Sequence, residues 1–140
     1  MAFWLMKSEP DVFSFADLEK KDKEEWTGVR NFTARNNMMQ MKVGEKAFFY
    51  HSNIGKEIVG IMKVVALAHP DSTAEPNANG KIVWQCVDVA ADKPFKRPVT
   101  LEEIKAHPEL RDMALVKYSR LSVQPVTDEE WQIVCKLGGL

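Results

Sequence analysis

Cysteine is nearly absent from this chain. Only Cys86 and Cys135 occur, far apart, with no CxxC pair and no Cys/His spacing of a zinc site. A disulfide framework and a zinc module are thereby excluded, and the two thiols read as reduced and largely buried, as in a cytoplasmic protein. The seven glycines are scattered, so no loop is built to cradle a phosphate. Long apolar runs are missing too. The opening Met1-Ala2-Phe3-Trp4-Leu5-Met6-Lys7 is too short for a membrane span or a signal h-region, and it lacks a basic n-region and a cleavage site. It reads as a strand. There is no excess of either charge: the net charge is −1. That argues against a broad basic face gripping a long duplex, so any nucleic-acid contact must come from a local patch or a pocket. Repeats, heptads and linkers are also absent.

What is present is core-forming material. Hydrophobic residues make up 45% of 140 residues, enough for a single domain over 1–140 without staples. Residues 3–7 predict a buried strand. Three capping boxes, Ser14 with Asp17, Thr100 with Glu103 and Thr127 with Glu130, each open a helix. The charged run 20–25 reads as a solvated connection. Residues 31–41 have helical spacing, 47–51 form an aromatic strand and 58–68 a long Val/Ile strand in which Gly60 marks a bulge or a close approach. Residues 69–80 read as a loop, 81–89 as a central strand, 110–116 as a further helical turn, and 120–125 as a last strand ending at Pro125. Trp84 and Trp131 read as core residues, and His69 and His107 receive no role. About five strands with short helices between them give an α+β domain, a curved sheet or partial barrel.

Three polar clusters could carry chemistry. Lys7 and Ser8 end the first strand; they serve either a site or a turn. Trp26-Thr27-Gly28-Val29-Arg30-Asn31 brings together an aromatic face, a permissive glycine, a guanidinium and an amide, the parts needed to hold a flat polar ring. The competing reading is a core tryptophan followed by a helix-capping Asn31. Arg35 lies one helical turn beyond Asn31, beside Asn36. Tyr50-His51-Ser52 ends the aromatic strand. His51 could be a general base, a hydrogen-bond reader or a group satisfied by backbone. Ser52 points the opposite way on a strand, and no orienting carboxylate is evident, so catalysis is not supported and no metal set is visible.

Taken in order, Trp4-Leu5-Met6-Lys7-Ser8-Glu9-Pro10, Trp26 to Asn31, Ala34-Arg35-Asn36, Phe48 to Ser52, Gly60 to Val65 and Arg120 to Pro125 resemble the EVE domain family of the PUA-like superfamily. The likeness covers nearly the whole chain. It implies a β-pseudobarrel of about five or six strands with surrounding short helices, and a pocket for a modified nucleobase in DNA or RNA, with modified cytosines among the proposed ligands. It implies no enzyme activity and no cofactor. Carried onto this chain, the pocket would use Lys7, Ser8, Trp26, Gly28, Val29, Arg30, Asn31, Tyr50, His51 and Ser52. Arg35, Asn36 and Arg120 would meet the nucleic-acid backbone or shape the rim. The family often has an acidic residue where Thr27 stands here. The rival expectations are a nucleotide-directed hydrolase or transferase using His51, and a small-metabolite module using the same cleft.

Overall fold

The computed structural model describes residues 1–140. Six strands form one open sheet: β1 (Phe3–Ser8), β2 (Glu24–Glu25), β3 (Lys46–His51), β4 (Glu57–Pro70), β5 (Gln85–Thr100) and β6 (Val123–Val126), in the order β2-β5-β4-β3-β1-β6. Only β1 and β3 run parallel. The chain between them supplies α1 (Phe15–Glu19), β2 and α2 (Phe32–Gln40), as a parallel crossover requires. After β5 come α3 (Leu101–Ala106), a 3₁₀ turn (Pro108–Leu110), α4 (Ala114–Lys117) and, after β6, α5 (Asp128–Leu137).

Period-2 alternation in β1 and β3 divides the core between the two faces of the sheet. Trp4, Met6, Ala47 and Phe49 face α1, α2 and Trp26. Leu5, Phe48 and Tyr50 face Ile104, Leu110, Leu115 and Trp131. Trp131 stacks on Phe48 at 3.9 Å and on Phe3 at 4.3 Å, which fixes α5 against the sheet. All three capping boxes form as their spacing predicts. Gly60 is the close approach: a Cβ there would meet the Phe15 ring at 2.5 Å, and the ladders on both sides of it shift register.

Four expectations need correction. Residues 81–84 are not strand; β5 starts at Gln85 and continues to Thr100 through Pro94 and Pro98. β2 covers the other side of β5 only at Asp88 and Val89, so both prolines sit where no neighbour needs their missing N–H. Glu24 and Glu25 are an edge strand and not a solvated link. His69 belongs to β4 and not to the following loop. Trp84 is only partly buried and stacks at 4.7 Å on Phe32, which is 57% exposed.

Candidate functional site

The end of β1, the segment after β2 and the residue before β6 converge on a cavity of about 280 Å³. Lys7, Ser8, Trp26, Gly28, Val29 and Arg30 line it, joined by Val12, Phe13, Glu24, Glu25, Thr27 and Ser122. The Trp26 N–H donates to the Val87 carbonyl at 2.9 Å, continuing the β2–β5 ladder one step and holding the indole at the cavity wall. Gly28 then adopts φ +85° with open space where a Cβ would stand, so its backbone conformation selects glycine, not crowding.

Asp71 organises the loop, a role the sequence reading missed. Its carboxylate, almost fully buried, accepts from the Gly28 N–H at 2.9 Å, Arg30 Nη1 at 3.1 Å, and the Thr73 N–H and hydroxyl at 2.7 and 2.6 Å. Burial pushes its pKa up, but the Thr73, Gly28 and Arg30 hydrogen bonds outweigh that and hold it below the ordinary carboxylate range. The Asp-x-Thr turn was the signal available.

A second clasp lies beside it. Glu25 accepts from the Ser72 N–H and hydroxyl, both at 2.9 Å, and from the Cys86 thiol at 3.5 Å. His69 contacts Asp88 through Nε2 at 2.7 Å and the Pro70 carbonyl through Nδ1 at 3.0 Å. Both partners are acceptors, so the two contacts together favour the protonated ring. The Asp88 hydrogen bond raises its pKa most. Burial first, then Glu25, pushes the Cys86 thiol upward. Glu25, His69 and Cys86 place possible metal-ligating atoms within 4.8 Å of one another. Their hydrogen bonds already engage each of those atoms, so the trio functions as a clasp joining β2, β4 and β5.

The remaining expected site residues do not share this cavity. Tyr50 and Ser52 line a separate one of about 220 Å³, with Lys7 as the common wall. Lys7 donates to the Ser119 carbonyl at 2.7 Å and lies 5.8 Å from the Tyr50 ring centroid. Burial lowers the Lys7 pKa and raises that of Tyr50. His51 lines neither cavity. Its Nε2 accepts the Phe15 N–H at 3.2 Å and the ring meets Phe49 edge-on. Burial lowers its pKa against the opposing pull of Glu57, which favours the neutral ring that this bond requires. Asn31 caps α2, accepting from the Ala34 N–H at 2.9 Å. Arg35 lies over Phe32 and donates to the Val83 carbonyl at 2.9 Å and to Asn36 at 2.8 Å, so both residues brace the loop before β5. Asn31 and Arg120 border an adjoining groove. The single pocket that the resemblance implied is thus three recesses grouped around Lys7 and the 117–122 segment.

Residues 2–137 match the model of the EVE domain family. The chain belongs to the EVE domain family. Human thymocyte nuclear protein 1 is 39% identical over 165 residues, covering 96% of this chain and 72% of that protein. A crystal structure of an Agrobacterium tumefaciens protein superposes with TM-score 0.93 at 52% identity, covering 100% of this chain and 94% of that one. The crystal structure of human THYN1 protein in complex with 5-methylcytosine-containing DNA superposes with TM-score 0.91 at 36% identity, covering 100% and 99%. The EVE domain described here accordingly has the PUA-like fold of these neighbours, and none of its helices is long and apolar enough to cross a membrane.

In this EVE domain several polar groups on the first cavity remain unspent. The Trp26 indole N–H has no partner within the protein and is not among the enclosed unpaired atoms. Lys7 uses one of its three donors on Ser119. The Ser8 hydroxyl donates to the Phe13 carbonyl at 2.5 Å and keeps its lone pairs. Thr27 and Ser122 complete the set, beside apolar surface from Val12, Phe13 and Val29; the Glu24 carboxylate accepts from Lys21 Nζ at 3.4 Å and keeps further lone pairs.

Proposed function

We propose that this EVE domain, a single domain over residues 1–140, is a non-enzymatic reader that takes a modified nucleobase, a modified cytosine in DNA, into the cavity bounded by Lys7, Ser8 and the Trp26–Arg30 loop. The observation that carries this is the match between unspent groups and a cytosine edge. Cytosine offers two acceptors and one amino donor; Lys7 and the Trp26 indole can donate, and Glu24 can accept from the amino group. Val12, Phe13 and Val29 supply the apolar surface a 5-methyl group needs. The cavity, about 280 Å³, is at the small end for ligand sites and suits one base. The complex of human THYN1 with 5-methylcytosine-containing DNA supports the choice of ligand. The engagement of His51 by the Phe15 N–H speaks against the hydrolase or transferase reading. Two unpaired thiols suit a reducing compartment such as the cytoplasm.

The test is a titration of short oligonucleotides carrying 5-methylcytosine or cytosine, in DNA and RNA, with calorimetric readout. A methyl-sized group is worth about 0.8 kcal/mol, so the modified base should bind about fourfold more tightly. Trp26→Phe, which keeps an aromatic ring and removes the indole N–H, should weaken both ligands. Equal affinity for modified and unmodified bases, or an unchanged Trp26→Phe titration, would overturn the assignment.

A further inference from the structure

We propose that the groove on the outer side of the 117–122 segment is a second subsite, which takes the nucleotide flanking the recognised base. It rests on the base-pocket reading above. The groove is the largest recess in the molecule, about 520 Å³, and Asn31, Thr33, Lys117, Tyr118 and Arg120 border it. The two recesses adjoin. Arg30 faces the first and Asn31 the second; Ser122 faces the first and Leu121 the second. Lys7, on the wall of the first, donates to the carbonyl of Ser119 in the second at 2.7 Å. A strand that places one base in the first recess therefore carries its neighbour across a single residue step into the groove.

The groove has the chemistry a neighbouring nucleotide requires. Tyr118 is 59% exposed and its hydroxyl has no partner in the protein, leaving a ring face for a base. Arg120 is exposed and pairs with no carboxylate, unlike Arg30 and Arg97, which are tied to Asp71 and Glu103. Lys117 is held only by a surface contact with Asp112 at 3.5 Å. Arg120 is free to meet phosphate, and Lys117 can exchange its exposed Asp112 partner for one.

The segment is also rigid. The Tyr118 N–H donates to the Ala114 carbonyl at 2.7 Å. The fully buried Gln124 side chain donates to the Tyr118 and Leu121 carbonyls at 3.2 and 2.8 Å. The backbone that presents the Tyr118 ring is therefore fixed before binding, so only the side chain has freedom to lose.

The experiment compares free 5-methyldeoxycytidine with a pentanucleotide carrying the same base at its centre. Wild type should bind the pentanucleotide more tightly. Tyr118→Ala should weaken the pentanucleotide about five- to hundredfold and leave the nucleoside unchanged, while Tyr118→Trp restores binding. Nucleoside binding by each variant doubles as the check on folding. A nucleoside that binds as tightly as the pentanucleotide would overturn the subsite alone. So would a Tyr118→Ala variant that binds the pentanucleotide normally, or that loses both ligands equally. Absence of both ligands from the wild type would overturn the base pocket and this subsite with it.

Discussion

Trp26 meets two demands with one side chain. Its ring packs edge-on to Phe49, at 5.4 Å and 84°, within the cluster that α1 and α2 cover. Its indole N–H has no partner within the protein, and the residue lines the cavity. Removing the whole side chain therefore tests packing before it tests binding. Trp26→Ala should lower stability by about 3–5 kcal/mol, the usual cost of deleting a buried aromatic. Denaturant unfolding would measure it; a loss below about 1 kcal/mol would show that the ring contributes little to the core. Trp26→Phe retains most of the contact with Phe49, so a binding loss in that variant reports on the cavity. Two other parts of the motif, Gly28 and Arg30, owe their placement to Asp71, which binds both. The competing readings of the 26–31 segment are thus compatible: Trp26 is core and cavity wall, and Asn31 is a cap beside the groove.

At the scale of elements, the clasp at His69 joins three strands behind the cavity. His69 extends β4, Asp88 belongs to β5, and Glu25 belongs to β2 and continues directly into Trp26. Lys23 adds a second partner to Asp88 at 3.6 Å. The Asp88 hydrogen bond, followed by the Pro70 carbonyl and the Asp88 and Glu25 charges, raises His69 above its ordinary 6.5 despite some desolvation. The folded protein therefore holds this proton more tightly than the unfolded chain. Its stabilisation is complete below pH 6.5 and is lost as pH rises through the folded value. The melting temperature of wild type should exceed that of His69→Gln at about pH 6, and the gap should narrow as the pH rises through the folded value. A gap that widens with rising pH would refute the charged-ring assignment. None of this was legible in the sequence, because the partners are distant along the chain and only strand pairing brings them together. The capping boxes were legible because each works within four residues, and the aromatic 47–51 strand because its pattern is self-contained. The second half of β5 was hidden by Pro94 and Pro98, whose tolerance depends on an unpaired strand edge that no local pattern reveals. Trp84 misled for the same kind of reason: its partner is Phe32, on a helix far earlier in the chain.

At the scale of the whole molecule, charge balance sets how the proposed reader would meet nucleic acid. With 19 basic and 20 acidic residues, no excess of cations is available to collect counterions along a duplex. Several basic side chains near the recesses are already committed, Arg30 to Asp71 and Arg35 to the Val83 carbonyl. Lys7 faces the base edge, so those left for phosphate near the two recesses are Lys117 and Arg120. Two phosphate contacts on a single strand give a slope of log K against log salt of about −1.4. Affinity for the 5-methylcytosine pentanucleotide should then fall only about sevenfold for a fourfold rise in salt concentration, and Arg120→Gln should flatten the slope by about 0.7. A base held by shape and edge hydrogen bonds is insensitive to salt, so the preference for the methylated over the unmodified pentanucleotide should stay constant across the series. A slope of about −5 or steeper would mean that a wide cationic face, and not the two recesses, dominates binding. A methyl preference that disappeared with added salt would mean that the discrimination is electrostatic and lies outside the cavity walled by Trp26 and Lys7.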